Sequence, residues 1–164
     1  MKHRFHLFRA LAAGSAILAA GCGFQPLYGA GGSAGLPWLQ IEAGDSRQDY
    51  LLGAALDRFL GAGRSDYRIA LRTSANERRL GVSAAGRASR YAYRLTTAYT
   101  LSDREGEVAT GRVSETVYFD APSDPYALIA ARANAEERAA DLLARTLTRD
   151  IARSLERTAA GDAP

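Results

Sequence analysis

The 164-residue chain contains one cysteine and two histidines, and only one of its 21 Lys and Arg residues is a lysine. Lys2, His3 and His6 all fall within the first six positions. A single cysteine cannot build an internal disulfide framework or a multi-cysteine zinc site. With no histidine or lysine after position 6, the rest of the chain has no Ser-His-Asp or Cys-His nucleophile, no Schiff-base lysine and no His/Cys metal centre. Carboxylate pairs survive that exclusion. However, Glu105 and Glu107 flank a turn, and Glu136 and Glu137 stand beside Arg132 and Arg138 on a helical stretch. Both patterns are ordinary surface charge pairing. The expectation is no catalytic residue, no metal and no cofactor.

A long hydrophobic run is missing as well. The apolar stretch Ala10 to Ala20 has eleven residues, whereas a membrane-spanning helix needs about 20. Behind Lys2, Arg4 and Arg9 it has the length of a signal-peptide core. It ends in Ala19-Ala20-Gly21 before Cys22, the arrangement in which a bacterial lipoprotein is cleaved and acylated, although Ala19 stands where leucine is usual. Each buried methylene contributes about 0.8 kcal/mol, so two or three acyl chains hold a protein firmly on a membrane. Gly23 follows, with no Asp to favour inner-membrane retention, so the periplasmic face of the outer membrane is the expected place. Residues 1–21 are read as the signal, 22–36 as the acylated Cys22 with a glycine-rich tether, and 37–164 as one domain. Removing Lys2, Arg4 and Arg9 from the 21 basic residues leaves 18 arginines against 18 acids. The net charge of +3 thus belongs to the precursor, and the mature chain is neutral.

The remainder is globular in composition, at 47% hydrophobic and 24% charged overall. Trp38, Leu39 and Ile41 suit a short strand. Ser46 with Asp49 resembles a capping box, with Asp in place of Glu or Gln. Leu52, Ala55, Leu56, Phe59 and Leu60 follow at helical spacing, with Gly61 and Gly63 as terminators. Tyr67, Ile69 and Leu71 alternate with Arg68, Ala70 and Arg72, the period of a half-buried strand. Tyr91, Tyr93, Leu95, Tyr99 and Leu101 define the buried face of a second strand. A third runs from about Val108 to Phe119, joined through a hairpin loop at 103–106. Ser74 to Arg90 is expected to be a loop or irregular edge, with Leu80-Gly81-Val82 as the part able to extend the earlier strand. Asp124-Pro125 reads as N-cap and first turn of a last helix reaching about Arg157. Leu143, Leu147, Ile151 and Leu155 form its stripe, and Ala133-Asn134 is a place for a bend. The fold class is α+β in the order β-α-β-β-β-α, two helices packed on one face of a mainly antiparallel, mixed four-stranded sheet.

Charge is polarised within this neutral domain. Arg64 to Arg94 holds eight arginines against Asp66 and Glu77, and Leu95 to Asp124 holds six acids and two arginines. The uncovered sheet face would carry Arg68, Arg72, Arg94 and Arg112. Such a face either is solvated and paired with neighbouring acids or clamps phosphate and carboxylate groups. In a periplasmic lipoprotein nucleic acid is not the expected partner, whereas phosphorylated lipopolysaccharide is native to that membrane. Tyr118, on the face opposite the core tyrosines, is the aromatic expected to touch a partner.

The run Cys22-Gly23-Phe24-Gln25-Pro26-Leu27-Tyr28-Gly29 resembles the start of the LPS-assembly lipoprotein LptE family in its alphaproteobacterial form. Tyr91-Ala92-Tyr93-Arg94-Leu95 and Phe119-Asp120-Ala121-Pro122 are similar too, as is the order of elements. The resemblance implies a non-enzymatic lipoprotein that plugs and helps assemble the LptD β-barrel and binds lipopolysaccharide in transit. It also implies basic lipid contacts in two places. Before Gly86 this chain departs from the family, with Ala84-Ala85 at the matching place; Arg87 and Arg90, just after it, and Arg94 are the candidates there, and Arg132, two residues before Asn134, is the counterpart on the last helix. The reading from another class is a periplasmic accessory lipoprotein of an ABC-type lipid transporter.

Overall fold

The computed structural model describes residues 39–60, 65–82, 86 and 88–159. The expected signal, Cys22, the tether, Trp38 and the glycine terminators Gly61 and Gly63 lie outside the described residues, as does Arg87. The elements are β1 (Leu39–Glu42), α1 (Arg47–Leu60), β2 (Tyr67–Val82), β3 (Ala88–Ser102), β4 (Glu107–Asp120) and α2 (Pro125–Ala159). The strands form one sheet in sequence order, with β1 parallel to β2 and the other pairs antiparallel. The α+β class, the order of elements and the mixed four-stranded sheet are as the sequence implies.

Alternation explains which face is covered. On β2 and β3 the odd-numbered Ile69, Leu71, Tyr91, Tyr93, Leu95, Tyr99 and Leu101 are buried. From β4, Val117 and Phe119 join them, and Tyr91 stacks on Phe119 with ring centroids 5.2 Å apart. Both helices cover this side: α2 lies over β4 and β3, and α1 lies against β2 and α2. Leu143, Leu147 and Ile151 are fully buried, and the first half of α2 contributes Ala135, Ala139 and Ala140. Asp124 caps α2 by accepting the Tyr126 amide at 3.1 Å, and the helix continues without interruption through Ala133 and Asn134.

Two local features complete the frame. In the β3–β4 turn the Asp103 carboxylate accepts the amides of Glu105 (2.8 Å) and Gly106 (3.0 Å), and Gly106 takes a φ of 145° that favours glycine. At α1 the Asp49 amide donates to Ser46 Oγ at 3.0 Å, and the Ser46 amide reaches back to Asp49 at 3.4 Å. The other Asp49 oxygen accepts the Thr73 amide at 2.8 Å. β1 pairs with β2 only over residues 67–70, so Asp49 satisfies a backbone donor that lies beyond the reach of β1.

Burial works to raise the Asp49 pKa, but the hydrogen bonds from Ser46 and Thr73 outweigh it and hold the carboxyl below its ordinary value. A folded pKa below the unfolded value, roughly 3.9, gives stability that is present above that pH and lost as pH falls through the folded pKa. Asp49→Ala is expected to cost about 1–2 kcal/mol at neutral pH through loss of the cap and an orphaned strand amide. Urea midpoints at pH 7 and pH 3 check both statements: the gap between wild type and variant should narrow in acid.

The expectation of a loop or irregular edge is overturned for residues 74–82 and 88–90, which are strand, with Leu80-Gly81-Val82 extending β2 as the sequence allowed; residues 83–85 and 87 lie outside the described residues. β2 runs to Val82 and β3 begins at Ala88, so the two strands form one long hairpin. Only the last pairs are irregular, with register shifts around Arg79, Gly81 and Val82. The segment is polar on both faces beyond the core, so alternation is invisible there. Its pairing comes from β3, whose Tyr91 and Tyr93 are anchored under the helices.

Candidate functional site

The sheet face away from the helices is open, and register orders its side chains into rows. From the middle of the sheet toward the β2–β3 hairpin these are Arg72–Ala98–Arg112, Ser74–Thr96–Ser114, Asn76–Arg94–Thr116 and Arg78–Ala92–Tyr118. The face is polar apart from alanines and Tyr118, which is 54% exposed. Arg72, Arg78, Arg94 and Arg112 are all exposed. Arg94 Nε donates to Thr116 Oγ1 at 3.3 Å. Carboxylates appear toward the ends of the array, where Glu42 pairs with Arg68 at 3.0 Å and Asp120 with Arg90 at 3.7 Å. Arg90 also lies over the Tyr118 ring, 5.8 Å from its centroid.

The sequence-predicted residues divide between the two faces of the sheet. Arg90 and Arg94 share the open face, four residues apart, each two residues from Ala92. Arg132 projects from α2 on the covered side, where its Nε and Nη2 donate to the two Glu77 carboxylate oxygens, each at 2.8 Å. Glu77 sits on β2 opposite Tyr93, one position from the Asn76–Arg94 pair. Arg132 and Arg94 therefore approach the hairpin end from opposite sides of the same strands. The fork-to-fork pair holds the Arg132 pKa above its ordinary value, chiefly through the Glu77 hydrogen bonds. Cys22 and Arg87 fall outside the described residues.

The sequence does not single out Arg78, because it lies in the stretch expected to be a loop or irregular edge. Continuing the alternation Arg72, Ser74, Asn76, Arg78 would have placed it on the open face. Tyr118 occupies the exposed position expected of it, and Tyr91, Tyr93 and Tyr99 are core. Among the described residues no group of His, Cys, Asp and Glu is placed to hold a metal ion, and no helix is long and apolar enough to cross a membrane. The arrangement can offer forked donors and hydroxyls to an anion; it gathers no nucleophile and base.

Residues 36–157 match the family model described as LptE, lipopolysaccharide-assembly. A solved structure from Caulobacter crescentus, described as a lipoprotein, is similar at 32% identity over 72% of this chain and 90% of that one, with a TM-score of 0.58. Rare lipoprotein B from Shewanella oneidensis shares the fold at 12% identity, covering 74% of this chain and 98% of its own, with a TM-score of 0.57. A minor lipoprotein from Acinetobacter baumannii does so at 17% identity, 73% and 90% coverage and a TM-score of 0.52. No curated protein matches the chain. With three quarters of its length matched by one family model, and with the strand order, helix placement and polar open sheet face described above, the chain belongs to the lipopolysaccharide-assembly LptE family.

Proposed function

We propose that this protein is an outer-membrane lipoprotein, acylated at Cys22, that plugs and helps assemble an LptD-type β-barrel and binds lipopolysaccharide on its way to the outer leaflet. Membership of the family carries the role in lipopolysaccharide assembly. The observation that supports the finer reading is the open sheet face, with its exposed arginines among Ser, Thr and Ala. A barrel lumen is polar and water-filled, so a plug can present such a face without burying unpaired charge in lipid. Arg90, Arg94 and Arg132, gathered at the hairpin end, are the proposed lipopolysaccharide contacts, together with Arg87. The role needs no catalytic group or cofactor. Co-purification from detergent-solubilised outer membrane tests the reading: a large β-barrel partner is expected, and recovery without one overturns it.

The Glu77 pair changes how Arg132 must be tested. Arg132→Glu would set two carboxylates against each other and mix unfolding with loss of contact. Glu77→Gln instead keeps the shape and releases the guanidinium. The pair is partly exposed, at 40% and 25%, so its loss costs no more than about 1 kcal/mol. If Arg132 holds an anionic group of the lipid, Glu77→Gln tightens lipopolysaccharide binding several-fold and Arg132→Gln weakens it. Unchanged affinity in both variants places the contact elsewhere.

A further inference from the structure

A second arginine cluster lies in the middle of the open face, toward the β3–β4 turn from the hairpin-end contacts. Arg72 on β2 and Arg112 on β4 flank Ala98 on β3 in one row. Neighbouring strands are about 4.8 Å apart, so the two arginine backbones stand roughly 10 Å apart across an alanine floor. The next row toward the hairpin is a line of three hydroxyls, Ser74, Thr96 and Ser114. Beyond it, Arg94 occupies the centre of the following row. Two arginines on one side and one on the other thus enclose the hydroxyl line.

The positive charge there is uncompensated. The four consecutive rows from Arg72–Ala98–Arg112 to Arg78–Ala92–Tyr118 contain no carboxylate, and Glu42 of β1, in register with Ala70 one row earlier, is paired with Arg68. Among the described residues, no ion pair engages Arg72, Arg94 or Arg112, whereas Arg68 and Arg90 at the ends of the array each have one. Exposed like charges around a small-residue floor repel one another until an anion enters. Guanidinium forks and serine or threonine hydroxyls both donate to tetrahedral oxyanions, and the forks match phosphate in geometry.

We propose that Arg72, Arg94 and Arg112, set around Ser74, Thr96 and Ser114, form a phosphate-binding site that takes a phosphomonoester group of a phosphorylated glycolipid. The inference rests on the lipopolysaccharide reading; the site shares Arg94 with the hairpin-end contacts and adds Arg72, Arg112 and the hydroxyl row, which those contacts do not use. The same chemistry would accept a free phosphate, so the experiment separates the two sources.

The full chain in detergent is compared with the double variant Arg72→Gln/Arg112→Gln and with Arg68→Gln, a control on the same face outside the cluster. Binding is measured to lipopolysaccharide carrying its lipid A phosphates and to the same material dephosphorylated; melting temperature is followed with inorganic pyrophosphate. The expected result is about tenfold tighter binding of the phosphorylated form by wild type and control, with that preference lost in the double variant. Stabilisation by pyrophosphate that the double variant also loses would show that the site accepts free phosphate too. Undiminished preference in the double variant overturns the site while leaving lipopolysaccharide binding intact. If wild type binds neither lipid, the functional reading fails, and pyrophosphate decides the site: a shift abolished by the double variant keeps an anion site, and no shift overturns it. Loss of a co-purifying barrel with unchanged preference for the phosphorylated lipid makes the face a protein interface and also overturns it.

Discussion

Gly111→Ala is expected to destabilise the domain by about 2–4 kcal/mol, although it adds a single methyl group. A Cβ at Gly111 would lie 2.6 Å from Tyr99 Cε1 and 2.7 Å from Cζ and the hydroxyl oxygen. Tyr99 is opposite Gly111 in register, only 3% exposed, and its hydroxyl donates to Asp150 at 2.8 Å. The ring fills the space over the glycine and cannot retreat without breaking that bond and disturbing the core beneath α2. For a domain of this size the loss corresponds to a fall in melting temperature of roughly 10 °C. Thr110→Ala, one residue away and exposed, should shift it by no more than a degree or two. Replacing Tyr99 by Leu in the Gly111→Ala background should recover part of the loss, because the two changes share one space.

Leu147→Ala has the other large expected effect, about 2–5 kcal/mol. Leu147 is fully buried on α2, in the stripe that begins at Leu143 and continues at Ile151. Truncation there leaves a cavity that neighbours on two helices and the sheet cannot close together. Leu142, five residues earlier on the same helix, is 45% exposed, and its truncation should cost under about 1 kcal/mol. Chemical unfolding of both variants measures the contrast. Similar losses at the two positions would contradict the orientation of α2.

The element order was legible because it rests on local periodicity. Odd-numbered apolar residues on β2 and β3, the four-residue steps from Leu143 to Leu155, and the Asp124 cap all record the covered side directly. The hairpin extension from Ser74 to Val82 was not legible. Its residues, Asn76, Glu77, Arg78 and Arg79, have no apolar alternation, and their strand conformation comes from pairing with β3. Thr97 shows the same limit. A threonine among tyrosines does not announce itself as core, yet it is fully buried and accepts the Thr73 hydroxyl at 3.1 Å.

For the candidate site, the sequence alone determined its chemistry. Arginine is the only base after His6, eight arginines fall between Arg64 and Arg94, and the near absence of histidine, lysine and cysteine excludes the nucleophilic, Schiff-base and metal chemistries that need them. Which arginines act together was decided only by tertiary structure. Register across three strands puts Arg72 beside Arg112, 40 residues apart in the chain, and helix docking gives Arg132 to Glu77, 55 residues away. Both facts depend on long-range pairing and packing, which no window of local sequence contains.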